Sequence, residues 1–158
     1  MYREENAAKL RQVLSRHNVE YMFIGKGAAI LQGFPDTTQD IDIYPRKDAQ
    51  NNRSLVAALK ELGFEINSRT EKEILKGKDF IQLRGEPFDM DVVFAPDGFD
   101  SFEEAKKYQV TIDGYPALSV DGIIRTKRAA GREKDRASLP QLLSFKEYLD
   151  ERGRRKKT

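Results

Sequence analysis

Apolar residues recur with a helical period over residues 4–16, where Ala7, Leu10, Val13 and Leu14 share one stripe and Arg and Glu fill the other side. His17-Asn18 ends that pattern, and an apolar run at 19–24 predicts a buried strand. A short helix of small and apolar residues is expected over 27–32, closed by Gly33 and a Phe34-Pro35-Asp36 turn. A second strand is expected over 39–44, stopping at Pro45. Asp48 is placed to cap a helix over 49–62, with Leu55, Ala58, Leu59 and Leu62 on one face and Gly63 at its end. Phe64-Glu65-Ile66 alternates as a strand, and the polar stretch 70–78 reads as a loop. Phe80–Arg84 and Phe88–Phe94, split by Gly85-Glu86-Pro87, predict a hairpin; 107–112 and 115–119 predict a second pair around Asp113-Gly114. Helices over 120–130 and 133–150, divided by Gly131, close the pattern. This order predicts an α+β fold, a mixed sheet flanked by helices, in a single domain over 1–150. The basic segment 151–158 is expected to be a disordered tail.

Composition narrows the chemistry. A chain of 158 residues is long enough for one sizeable core. It has no cysteine, which excludes disulfides, thiol nucleophiles and zinc-thiolate sites. No apolar run has the length a bilayer requires, so a cytoplasmic protein with no membrane partner is expected. The net charge of +2 conceals an asymmetry: residues 1–121 hold 16 basic and 21 acidic side chains, and residues 122–158 hold 12 basic and 5 acidic. A basic C-terminal third suits either solubility or a polyanionic partner.

The densest chemistry lies at 21–44. Gly25 and Gly27 free the backbone as the chain leaves the first strand, and the helix that follows offers unpaired N–H groups to an anion. Asp40 and Asp42, two apart on a strand, project to one face while Ile41 and Ile43 point to the core. Two carboxylates facing a phosphate site suit Mg²⁺ on a nucleotide. Asp89 and Asp91 share one face of a later strand in the same way, and Asp91 is the deeper of the two, followed directly by Val92-Val93-Phe94. If the two acidic strands are neighbours, three or four carboxylates converge. Lys26 is read either as a phosphate contact or as a solvent-facing lysine, since Gly-Lys-Gly is no Walker A loop. Thr38 either touches phosphate or bonds within its turn.

In the last third, Lys127 follows the Ile123-Ile124 stripe toward the interior, where a nucleotide phosphate site needs a cation. Arg132 and Lys134 read as a solvated face or a nucleic-acid track, and Asp135 as a carboxylate at the start of the final helix. Gly25-Lys26, Asp40-Ile41-Asp42 and Asp91 together resemble the motif series of the DNA polymerase beta-like nucleotidyltransferase superfamily. Lys127 and Gly131-Arg132-Glu133-Lys134-Asp135 resemble one branch of it, the AbiEii-like toxins of abortive infection and toxin–antitoxin pairs. Lys26 departs from the Gly or Ser usual at its position, and the chain is shorter than the longer toxins.

The resemblance implies a minimal nucleotidyltransferase fold and two Mg²⁺ ions held by Asp40, Asp42 and Asp91. It implies transfer of a nucleoside monophosphate from an NTP to an acceptor hydroxyl, in that branch often the 3′ end of tRNA. Gly25 would admit the phosphates and Lys127 would neutralise them; a cognate antitoxin protein is a partner the resemblance also implies. Two other classes fit the same residues: a catalytically inactive domain of this fold that binds nucleic acid or protein, and a toxin–antitoxin partner acting by contact alone.

Overall fold

The computed structural model describes the backbone of residues 4–38 and 40–157, and side chains as far as Gly153. The elements run α1 (Glu4–Arg16), β1 (Tyr21–Ile24), α2 (Gly25–Leu31), β2 (Ile41–Pro45), α3 (Ala49–Leu62), α4 (Ser68–Lys76), β3 (Phe80–Leu83), β4 (Met90–Val93), α5 (Phe102–Lys106), β5 (Gln109–Ile112), β6 (Tyr115–Leu118), α6 (Val120–Ala130) and α7 (Glu133–Lys157). One six-stranded mixed sheet, ordered β3-β4-β2-β1-β6-β5, forms the centre. Its two inner crossings are parallel (β2 with β4, β1 with β6), and β1–β2, β3–β4 and β5–β6 are antiparallel. Against the sheet, α1 packs on α3 and α3 on α4, while α2 packs on α6 and α6 on α7. The α+β class is as the hydrophobic pattern predicts.

Local rules account for most element boundaries. Asp48 caps α3 by accepting from the Asn51 N–H, and Gly63 ends it in the left-handed region at φ 105°. The stripe Ala7, Leu10, Val13 and Leu14 is buried as the periodicity predicts. Three expectations are corrected and one element is added. Residues 68–76 form helix α4 rather than a loop: Asn67 caps it, Gly77 closes it, and Ile74, its one fully buried side chain, anchors a face too narrow to show as a stripe. Residues 64–66 are not a strand; Phe64 is buried against Phe88 in a connecting segment. The short helix α5 has a Ser101 cap that the hydrophobic pattern does not single out. The last helix continues from 150 to Lys157, through the segment expected to be a disordered tail, and it tolerates Pro140 inside it.

Candidate active site

Two strand starts are later than expected, which changes the roles of the acidic residues. β2 begins at Ile41, so Asp40 precedes it, and β4 begins at Met90, so Asp89 lies outside the strand. Within the sheet, β2 and β4 are neighbours in parallel register, with Asp42 opposite Asp91. Cross-strand partners share a face, so these two carboxylates lie side by side. Asp91 is 7 % exposed. Asp42 Oδ1 is buried with no hydrogen-bond partner. Burial first, and then the charge of Asp91 beside it, push the Asp42 carboxyl up to about 7. Arg84 sits on Asp91, so the proton that such a pair retains near neutrality falls on Asp42.

The expected convergence of three or four carboxylates is reduced to two in direct apposition. Asp40 is linked to them through Arg84, whose Nη2 lies 2.9 Å from Asp91 Oδ1 and 3.8 Å from Asp40 Oδ2. Asp89 serves the hairpin turn, accepting from the Gly85 N–H at 2.8 Å. Among the described residues, no three potential metal-ligating side chains are gathered into a ready-made ion site. The pair Asp42–Asp91 nevertheless fits a hard divalent cation: its donors are all oxygen, and two of them, Asp42 Oδ1 and Asp91 Oδ1, are buried without a hydrogen-bond partner. Arg84 has no motif to mark it in the sequence. The only signal is a lone Arg at the end of a strand whose neighbour carries Asp91.

Gly25 closes the other side. It has φ +68° and opens α2, and β1 pairs Ile24 with Asp42. A Cβ at Gly25 would stand 2.7 Å from Asp42 Oδ2, inside contact distance, so the carboxylate would have to shift. Gly25→Ala is therefore expected to cost about 1–3 kcal/mol through the positive φ and the clash together. It should also weaken nucleotide binding, read by titration calorimetry; an unchanged melting temperature would show that Asp42 moves freely.

A cavity of about 590 Å³ joins Gly25, Lys26, Asp42 and Asp91 to Lys127, Arg132, Lys134 and Asp135. The last four come from the α6–α7 junction, where Gly131 turns the chain at φ 60°. Asp135 is fully buried there. It accepts from Lys127 Nζ at 3.3 Å, from Arg132 Nε at 2.7 Å and from the Arg132 backbone N–H at 3.3 Å. Burial pushes this carboxyl up, but the hydrogen bonds from Arg132 and Lys127 outweigh it and hold Asp135 below the usual carboxylate range. Asp135 thus does more than complement a helix dipole: it holds two cations in the lining of the cavity that Asp42 and Asp91 also line. Lys26 lines the cavity and pairs with Asp36 at 3.1 Å. Thr38 bonds the Asp40 carbonyl at 3.4 Å and does not line the cavity.

This arrangement is the nucleotidyltransferase fold. Two solved structures are similar to the chain over nearly their whole length. A proposed nucleotidyltransferase, TM1012, from Thermotoga maritima is 19 % identical, with TM-score 0.54, covering 92 % of this chain and 96 % of that one. The lincosamide antibiotic adenylyltransferase LnuA, solved with lincomycin bound, is 17 % identical, with TM-score 0.62, covering 90 % and 97 %. No protein-family model and no curated protein matches the sequence. Among the described residues, no helix is long and apolar enough to cross a membrane.

Proposed function

We propose that the chain is a nucleotidyltransferase that moves a nucleoside monophosphate from a Mg²⁺-bound NTP to an acceptor hydroxyl. The observation that carries this is the apposed Asp42–Asp91 pair, with its unsatisfied oxygens, in one cavity with Lys127 and Arg132. Asp42 and Asp91, with Asp40 at the rim, would hold the divalent ions, whose positive charge favours attack at phosphorus. Gly25 leaves space for phosphate beside Asp42, and Lys127 and Arg132, pinned by Asp135, offset the charge of the triphosphate. In the transfer, the acceptor oxygen bonds to the α-phosphorus and the bond from that phosphorus to pyrophosphate breaks. The hydroxyl proton leaves to a carboxylate of the pair.

For the acceptor, a nucleic-acid end such as the 3′ end of tRNA is favoured, as in the AbiEii-like toxins the sequence resembles; an antitoxin partner belongs to the same reading. The cations of the α6–α7 junction are turned to Asp135, so the C-terminal basic residues Lys127 and Arg132 serve the cleft rather than a surface track. The structural support for a nucleic-acid acceptor lies elsewhere. A groove of about 510 Å³ lined by Lys47, Lys76, Phe80 and the Lys78–Glu73 ion pair meets the cleft at Asp79 and Phe80, which line both cavities. Phe80 is 45 % exposed and offers a ring for a base to stack on. A small-molecule hydroxyl, the class suggested by lincomycin in LnuA, is the competing acceptor.

Titration calorimetry of the wild type and Asp42→Ala with each NTP, with and without Mg²⁺, tests the nucleotide site. Mg²⁺-dependent binding lost in the variant is the expected result. An absence of NTP binding by the wild type would favour a catalytically inactive domain of this fold. Transfer of label from α-³²P-NTP to total tRNA, compared with transfer to lincomycin and other polyhydroxylated small molecules, then separates the acceptor classes.

A further inference from the structure

Arg84 stands against the acidic pair, and the transfer chemistry leaves it unassigned. It follows the last residue of β3, an edge strand, and its side chain is 41 % exposed. Its Nη1 donates to the Leu83 and Met90 carbonyls at 3.3 and 3.4 Å, while Nη2 reaches Asp91 and Asp40. One guanidinium therefore spans the two carboxylates that flank the buried Asp42. It contributes a single positive charge and leaves Asp42 Oδ1 without a partner. One positive charge against the two carboxylates it spans, Asp91 and Asp40, leaves the acidic cluster short of positive charge.

We propose that Arg84 is a resident counter-ion of the catalytic carboxylates, occupying Asp91 and Asp40 in the metal-free chain and competing with the divalent ion for them. Its carbonyl contacts are long and its far end is wet, so the guanidinium is free to rotate away from the pair. The exchange sets the threshold concentration at which the site loads, and the guanidinium offsets the repulsion between the carboxylates when no divalent ion is bound. The proposal rests on the metal-binding role given to Asp42 and Asp91 above.

The test uses Mn²⁺ as probe, with binding read by electron paramagnetic resonance and by melting temperature, and with no nucleotide present. Wild type, Arg84→Met, Arg84→Lys and Asp42→Asn are compared. Arg84→Met is expected to bind Mn²⁺ about tenfold more tightly than wild type. In EDTA it should melt lower than wild type, and it should gain more from saturating Mn²⁺. Arg84→Lys, which keeps the charge, should stay near wild type. Mn²⁺ binding that Asp42→Asn abolishes, but that Arg84→Met leaves equal or weakens, would overturn the role of Arg84 while leaving the metal site standing. Failure of both wild type and Arg84→Met to bind Mn²⁺ would overturn the metal site and this role together.

Discussion

Asp42→Asn is expected to abolish nucleotidyl transfer and, at the same time, to stabilise the metal-free protein at neutral pH. The loss of activity follows from removing one of two apposed carboxylates, each of which carries an unsatisfied oxygen. The gain in stability follows from the raised carboxyl. Folding shifts Asp42 from the ordinary carboxylate range up to about 7, chiefly by burial and then by Asp91. The folded chain therefore holds a proton that the unfolded chain releases between about pH 4 and 7, so wild-type stability falls as pH rises through that window. Asn does not ionise, so the advantage of the variant should open across the same window, reach about 2–4 kcal/mol and stay level above it. Mg²⁺ should narrow the gap above pH 7 by stabilising the wild type alone. Melting curves at pH 4.5, 6 and 8, with Mg²⁺ and with EDTA, check each part; a variant no more stable than wild type at pH 8 would contradict the buried, repelling pair.

Removing Asp135 should have the opposite sign. Asp135→Ala leaves Lys127, which is 26 % exposed, without its anion at the α6–α7 junction and releases Arg132 from its bidentate hold. Breaking a buried ion pair by deleting one partner costs about 3–5 kcal/mol. The lower end applies here, because the Arg132 side chain is 59 % exposed and recovers solvation. In a chain of this size that corresponds to a melting point lower by roughly 10 °C. Asp135→Asn, which keeps acceptor geometry without charge, should lie between. NTP affinity should fall in both variants, since the two cations of the shared cavity lose the anchor that fixes them there. A melting temperature unchanged in Asp135→Ala would show that the junction is held by the packing of α6 on α7 alone.

The elements with a strong local signature are legible in the order of residues itself. Strict periodicity marks α1, α3 and α6, cap and glycine chemistry marks the ends of α3, and the Gly-Pro break marks the β3–β4 hairpin. Helix α4 is not legible, because its burial rests on one side chain, Ile74, amid seven polar residues. The site is legible in part. Asp42, Asp91, Gly25 and Lys127 are marked by their strand and helix context, and all four line the same cavity. Asp89 and Asp91 look equivalent because strand alternation places both on one face, yet the first residue of β4 is Met90, and Asp89 belongs to the turn.

Spacing along a strand or helix fixes direction over a few residues. Local order in the chain is therefore enough to say which residues carry charge toward a strand face, and that a glycine corner precedes them. It is not enough to place β2 beside β4. That neighbourhood joins segments almost fifty residues apart, and it is set by which apolar faces the whole sheet can bury together. Folding in three dimensions is what brings Asp42 and Asp91 together, makes Asp135 the buried anchor of Lys127 and Arg132, and stands Arg84 against the acidic pair. Only the first joins distant segments; the other two link near neighbours in the chain, and in all three a carboxylate changes its proton affinity, or a guanidinium finds its partner, only after folding has removed the water between them.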